Sequence, residues 1–230
     1  MSKDLVLFGA GGSGREIARL VEKINDEENT FNLLGFVDDN ESLWGQNLNG
    51  IPVLGGTEWL LNFKDKVLCS VTSGIVKIRE AICSKLIAQD VKFATLIDPS
   101  ASIGKTVQIG EGCIISGVSL HGETIPPHTV LINENCELTV NINVGNFVYL
   151  NSDVCLGHDD NVGDYSILNP HVQVSGACSI GRGVTIGGMS FLAPKVKIGD
   201  YAVVAPGSIV YGRVKDNAHV MGNPARRIGL

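Results

Sequence analysis

The chain has 230 residues, of which 44% are hydrophobic and 18% charged, and its formal net charge is −6 at neutral pH. An acidic balance without a basic run excludes nucleic acid and anionic membrane surfaces as partners. With no apolar stretch near the length of a membrane span and no signal-peptide pattern ahead of the first apolar run, the expectation is a soluble, cytoplasmic protein.

The first 95 residues read as a small α/β unit. Leu5 to Phe8 is an apolar run, followed by Gly9, Ala10, Gly11, Gly12, Ser13 and Gly14, and then by the helical pattern Ile17, Ala18, Leu20, Val21 and Ile24. A strand, a glycine-rich turn and a helix in that order aim backbone N–H groups at one point, where a phosphate is favoured. Leu33 to Val37 reads as the next strand and ends in Asp38 and Asp39, where a nucleotide-binding fold places an acid on a ribose hydroxyl. Strands at Val67 to Val71 and Phe93 to Leu96, with a helix from Val76 to Gln89 between them, complete a Rossmann-like domain. Under a hundred residues leave room for one nucleotide and not for a dinucleotide crevice. A tight strand-to-helix turn without ligand stays open as the alternative, because the GxGxxG spacing of Gly9, Gly11 and Gly14 is weak by itself.

From residue 96 to 230 a six-residue beat takes over. Leu138, Val144, Leu150, Leu156, Val162, Leu168, Val174, Ile180, Ile186, Leu192, Ile198, Val204 and Val210 are all aliphatic. A repeat this short cannot bury its own apolar face, so successive units must stack. Three short strands per turn give a triangular prism, a parallel β-helix of hexapeptide repeats, with coils about 4.8 Å apart. The residue after each aliphatic one (Gly145, Asn151, Gly157, Gly163 and so on) is small or suited to a corner with φ > 0. Four places after the aliphatic residue lies a compact inward slot holding Ser166, Val172, Cys178, Val184 and Ser190. The beat begins earlier, in another phase, at Ile97, Ile103, Ile109 and Ile115. Between Ile115 and Ile132 it slips, and residues 119–130, with Pro126 and Pro127, read as an excluded loop.

Six cysteines show no CxxC pair and no zinc spacing, and Cys113, Cys136 and Cys178 fall in the inward slot, as packed thiols in a reducing compartment do. Of the five histidines, His158 is followed by Asp159 and Asp160. A carboxylate beside an imidazole fixes its orientation and raises its basicity, which suits a general base, although a solvated turn histidine has the same sequence. His171 and His219 read as surface or packing residues, and His121 and His128 lie in the excluded segment. No histidine spacing reproduces the three-histidine zinc site of γ-carbonic anhydrase helices, so no metal is expected.

The glycine-rich turn with Asp38 and Asp39, the hexad helix, the segment from Leu150 and Asn151 through Gly157, His158 and Asp159, and the ending Gly222, Asn223, Pro224, Ala225, Arg226, Arg227 together resemble the bacterial hexapeptide-repeat sugar acetyltransferases of the PglD and NeuD type. The resemblance spans essentially the whole chain. It implies a left-handed helix, acetyl-CoA as acyl donor, and a homotrimer with each active site between adjacent helices. It also implies that the first domain binds a sugar substrate, in PglD-like members through the UDP part of an amino sugar. In that pattern His158 is the general base and Asp159 its acidic partner. Gly11, Gly12, Ser13, Asp38, Asp39, Thr72, Ser73 and Asn151 fall on substrate positions, and Ile167, Gly176, Gly188, Ala205 and Pro206 on acetyl-CoA positions. Ile167 departs from the pattern, which has a histidine there; the Gly176 N–H is then left to hold the thioester oxygen. The implied reaction is direct acetyl transfer to the amine of a UDP-linked amino sugar. Acetylation of a hydroxyl of sialic acid or another sugar is the alternative, and a non-catalytic scaffold a third reading.

Overall fold

The computed structural model describes residues 2–122 and 130–229. The chain divides into two compact units between Pro99 and Ser100.

The first unit is built on a five-stranded sheet. Strand β1 (Lys3–Phe8) is followed by helix α1 (Gly12–Glu27) and strand β2 (Phe31–Val37), then by β3 (Asn47–Leu48), β4 (Ile51–Gly55), α2 (Thr57–Phe63), β5 (Leu68–Val71) and α3 (Val76–Ile87). The order across the sheet is β3-β4-β2-β1-β5, with β4, β2, β1 and β5 parallel and β3 antiparallel to β4. β1 lies second from one edge, and Leu5 to Phe8 are at most 2% exposed, which explains their unbroken apolar run. Helix α1 buries Ile17, Ala18, Leu20, Val21 and Ile24, the stripe that its 3.6-residue period predicts.

One expectation for this unit needs correction. Phe93 makes only an isolated bridge to Cys69, and the strand foreseen from Phe93 to Leu96 shrinks to Leu96–Ile97. The hairpin of β3 and β4 and the short helix α2 had no counterpart in the sequence reading, because none of the three is long enough to display a period.

The second unit is the parallel β-helix. From Glu137 to Val210 its strands are two residues long and pair in parallel eighteen residues apart, as Tyr149 with Ile167 and Cys155 with Gln173, and an antiparallel pair of four-residue strands, His219–Gly222 with Ala225–Ile228, ends it. Three faces result. One carries Tyr149–Leu150, Ile167–Leu168 and Thr185–Ile186; the second Cys155–Leu156, Gln173–Val174 and Phe191–Leu192; the third Asn143–Val144, Asn161–Val162 and Ser179–Ile180. The aliphatic residue of each hexad points inward, and Leu138, Leu150, Leu156, Leu168 and Leu192 are fully buried. Each such side chain contributes about 1.5–3 kcal/mol relative to exposure. The inward cysteines are packed thiols: burial pushes Cys136 up to about 12, with backbone hydrogen bonds from Val154 and Asn133 opposing the shift.

The phase slip is a shortened step. Ile115 and Leu120, five residues apart, both end strands, so Ser119–Leu120 is a strand that pairs with Glu137–Leu138 and not part of a loop. Ile109 forms no strand. Pro126, Pro127 and His128 lie outside the described residues.

The corners also differ from expectation. The positive φ falls not on the residue after the aliphatic one but two places later, at Phe147 (59°), Asp153 (62°), Asp159 (62°), Tyr165 (59°), His171 (61°) and Ala177 (62°). The small residue has another cause. A Cβ on Gly157 would stand 2.6 Å from the Gly176 nitrogen, and one on Gly163 would stand 2.6 Å from the Gly181 carbonyl carbon. Close stacking of coils, not a left-handed backbone, excludes side chains there.

Candidate functional site

In the first unit the glycine-rich turn separates two kinds of glycine. Gly9 has φ +114°, and a Cβ on Gly14 would collide with the Gly9 carbonyl oxygen, so these two close the turn. Nothing lies within 4 Å of a Cβ built on Gly11 or Gly12. Both face a cavity of about 700 Å³ lined also by Ser13, Asp38, Asp39, Thr72 and Ser73. All seven residues foreseen as substrate contacts in this unit therefore border one cavity. The N-terminus of α1 has no side-chain cap, which leaves its first N–H groups suited to an anion.

Several of these side chains also build the cavity. Asp38 accepts hydrogen bonds from the Ala10 N–H (2.9 Å) and the Asn40 N–H (2.9 Å). Asp39 takes the Thr57 N–H at 2.6 Å and its hydroxyl at 2.8 Å, which caps α2 from a distant point of the chain. The Thr72 hydroxyl is buried and donates to the Phe8 and Gly9 carbonyls, bracing the turn. The sequence reading missed the opposite wall, where α3 and its entry supply Ile75, Lys77 and Ile78. Ile75 and Ile78 are 60% and 48% exposed. Such exposure on an otherwise ordinary helix is the one sign that could have pointed there.

In the helix, His158 and Asp159 occupy the corner between the second and third faces. The left-handed conformation at Asp159 turns its carboxylate back, so that His158 Nδ1 and Asp159 Oδ2 are 2.8 Å apart. Asn141, one coil earlier, donates to Asp159 Oδ1 at 3.0 Å. The hydrogen bonds from His158 and Asn141 hold the Asp159 carboxyl below the usual carboxylate range. In the neutral tautomer that gives Nδ1–H to the carboxylate, Nε2 carries the lone pair. The ring lies across Gly176, where a Cβ would stand 2.5 Å from Nε2. Among the described residues the Gly176 N–H has no acceptor, while its carbonyl takes the Lys195 N–H.

The other foreseen positions sit elsewhere. Asn151, Gly188, Ala205 and Pro206 follow strands of the first face, at the corner between the first and second faces, and Ile167 lies on the first face itself. A single chain thus brings His158, Asp159 and Gly176 together on one edge of the prism and leaves Asn151, Gly188, Ala205 and Pro206 on another, with Ile167 on the first face. A second imidazole–carboxylate pair, His171 Nδ1 and Asp153 Oδ2, is 3.7 Å apart, too long for a hydrogen bond. Among the described residues no group of three or more His, Cys, Asp or Glu side chains could hold a metal ion, and no helix is long and apolar enough to cross a membrane.

The hexad solenoid thus carries an oriented imidazole on one of its edges. The PglD N-terminal domain family matches residues 4–86, and the bacterial transferase hexapeptide family, six repeats long, matches residues 177–212. Among curated proteins the chain is similar to GDP-perosamine N-acetyltransferase of Escherichia coli O157:H7, with 28% identity over 96% of this chain and 95% of that one. Among solved structures it resembles the acetyltransferase domain of PglB from Neisseria gonorrhoeae in complex with acetyl coenzyme A, with a TM-score of 0.76 and 22% identity over 99% and 100% of the two chains. It also resembles PerB from Caulobacter crescentus in complex with CoA and GDP-perosamine, with a TM-score of 0.74 and 20% identity over 98% and 97%. These two structures share its fold. The two family matches fall one in each compact unit of the chain.

Proposed function

We propose that the protein transfers an acetyl group from acetyl-CoA to the amine of a nucleotide-linked amino sugar. One observation carries this reading: an imidazole whose Nδ1 is engaged by Asp159 at 2.8 Å presents Nε2 over Gly176, beside an N–H with no acceptor among the described residues. A base and an oxyanion donor at one point are what aminolysis of a thioester requires.

The chemistry follows from these groups. His158 Nε2 takes a proton from the sugar amine as its nitrogen attacks the thioester carbonyl carbon. The carbonyl oxygen gains charge and is met by the Gly176 N–H. Collapse breaks the carbon–sulfur bond, gives the acetamide and releases the CoA thiolate, which recovers the proton from His158. Asp159 holds the ring orientation and stabilises the imidazolium formed midway. In the first unit, the N–H groups at the start of α1 take the diphosphate, and the apolar wall of Ile75 and Ile78 takes the nucleoside. The E. coli relative acts on GDP-perosamine by its name, so a GDP-linked amino sugar is the first acceptor to test, ahead of the UDP-linked one that the sequence suggested.

The division of helix positions between two edges supports a site completed by a second copy, with His158 from one protomer and the Gly188, Ala205 and Pro206 edge from its neighbour. Coenzyme A release measured with GDP- and UDP-linked amino sugars and with free sialic acids tests the reading. His158→Ala is expected to lower kcat about a hundred-fold or more with an unchanged melting temperature. Near-normal turnover in that variant discards the assignment.

A further inference from the structure

Asp160 is a buried carboxyl that the scheme above leaves unused. It fills the inward slot of its hexad, where other coils place Val154, Ser166, Val172, Cys178, Val184 and Ser190, and it is fully buried. Polar members of this slot obey a common hydrogen-bond rule with two halves. In the accepting half, Ser166 Oγ takes the N–H of Val184 (3.0 Å) and Ser190 Oγ that of Ser208 (3.3 Å), each eighteen residues ahead. Asp160 Oδ1 meets this half by taking the Cys178 N–H at 2.7 Å.

In the donating half, the side chains of Cys136, Ser166 and Ser190 give their proton to the carbonyl fifteen residues ahead, at Asn151 (3.0 Å), Gly181 (2.8 Å) and Ala205 (3.2 Å). The Cys178 thiol lies 3.3 Å from the corresponding Ala193 carbonyl and 2.7 Å from that of Ser175, whose second lone pair stays available. For Asp160 the same register is the Ser175 carbonyl. A carboxylate has no proton to give and a carboxylic acid has one. Asp160 Oδ2 is buried and, among the described residues, receives no hydrogen bond. The Ser175 carbonyl belongs to the same peptide unit as the Gly176 N–H.

We infer that Asp160 is held as a neutral carboxylic acid whose Oδ2–H donates to the Ser175 carbonyl and so positions the Ser175–Gly176 peptide for its role toward the acyl oxygen. This rests on the oxyanion role given to Gly176 in the proposed reaction. A hydrogen bond to a peptide carbonyl both fixes the plane of the amide and strengthens its N–H as a donor. The surroundings favour the neutral form. Burial pushes the Asp160 carboxyl up to about 7 and the Asp159 charge adds to this, while the Cys178 and Gly157 N–H groups and His158 oppose it. The remaining titratable neighbours are the thiols of Cys155 and Cys178, both raised by burial and by Asp160 itself. Asp160 is thus a positioning residue, distinct from Asp159, which must be ionised to orient His158.

Two replacements separate this from a structural role. Asp160→Asn keeps an acceptor and a donor, and Asp160→Val puts into the slot a residue it already holds at 154, 172 and 184. The valine variant is expected to fold with an unchanged melting temperature, to keep its KM for acetyl-CoA and to lose about tenfold or more in kcat. Asparagine is expected to restore kcat to within about twofold of wild type. The wild-type kcat should fall on the alkaline side of its pH profile as Asp160 ionises, and that limb should be missing from the asparagine variant. Infrared difference spectra of wild type minus the asparagine variant, taken on the acid side of neutrality, should show the band of a protonated carboxyl. An asparagine variant as impaired as the valine one, or a spectrum without that band, overturns the inference. Should wild type transfer no acetyl group to any acceptor, the proposed function fails, while the infrared band still decides the state of Asp160.

Discussion

Two edges of the β-helix share one backbone and put it to opposite uses. Along the edge between the third and first faces, the left-handed positions are Phe147, Tyr165, Gly183 and Tyr201. Phe147 and Tyr165 stack with centroids 4.7 Å apart, Arg182 lies 4.3 Å over the Tyr165 ring, and the same guanidinium reaches Tyr201 Oη (3.1 Å) and Asp164 (3.3 Å). Side chains there satisfy one another from coil to coil. On the edge of His158 the equivalent positions are Asn141, Asp159, Ala177 and Lys195. Asn141, Asp159 and His158 form one chain of hydrogen bonds that stops at Nε2, above a glycine and beside an alanine. A solenoid supplies identical corners, and chemistry arises where the corner residues leave one polar group unspent.

That contrast can be broken at Gly176. A methyl group there would enter the space of the imidazole, so Gly176→Ala should lower kcat about a hundred-fold through the displaced ring, the share of a misplaced general base. Its melting temperature should stay near that of wild type, because the ring is exposed and free to swing away. Unchanged turnover in this variant would show that the ring position over Gly176 is unimportant. On the braced edge the reverse is expected. Arg182→Ala removes a cation–π contact and a partly exposed ion pair, at a cost of about 1 kcal/mol or less in a denaturant titration. Turnover per folded molecule should be unaffected, and a tenfold loss of activity would mean that this edge is not merely a brace.

The sequence and the structure agree where a short period governs. Thirteen successive aliphatic positions define the helix because a packed prism tolerates no miss, and all of them are buried. Agreement is poorer at the corners, since stacking and backbone handedness both select small residues, and a sequence does not say which one acts. Phe147, Tyr165 and Tyr201 in left-handed conformation lay beyond reach for that reason. In the first unit the glycine-rich turn and Asp38 were legible as a motif, and they border the cavity. Ile75, Lys77 and Ile78 were not, because α3 shows no pattern that distinguishes a wall from a surface. At the candidate site His158 and Asp159 could be read from their adjacency alone. Asn141 and Asp160 could not, as each depends on a partner in the next coil eighteen residues away, a relation that only the finished prism reveals.

The central claim is that the reaction centre combines the His158 edge of one protomer with the Gly188, Ala205 and Pro206 edge of another. Subunit mixing tests it most directly. His158→Ala disables one edge, and Gly188→Phe, which fills the space beside Pro170, obstructs the other. Each variant alone should be inactive. Co-expressed in equal amounts in a cyclic oligomer, they should regain about a quarter of wild-type activity, since that share of interfaces joins two intact edges. Activity no greater than that of the separate variants would place both edges' contributions within one chain and contradict the account.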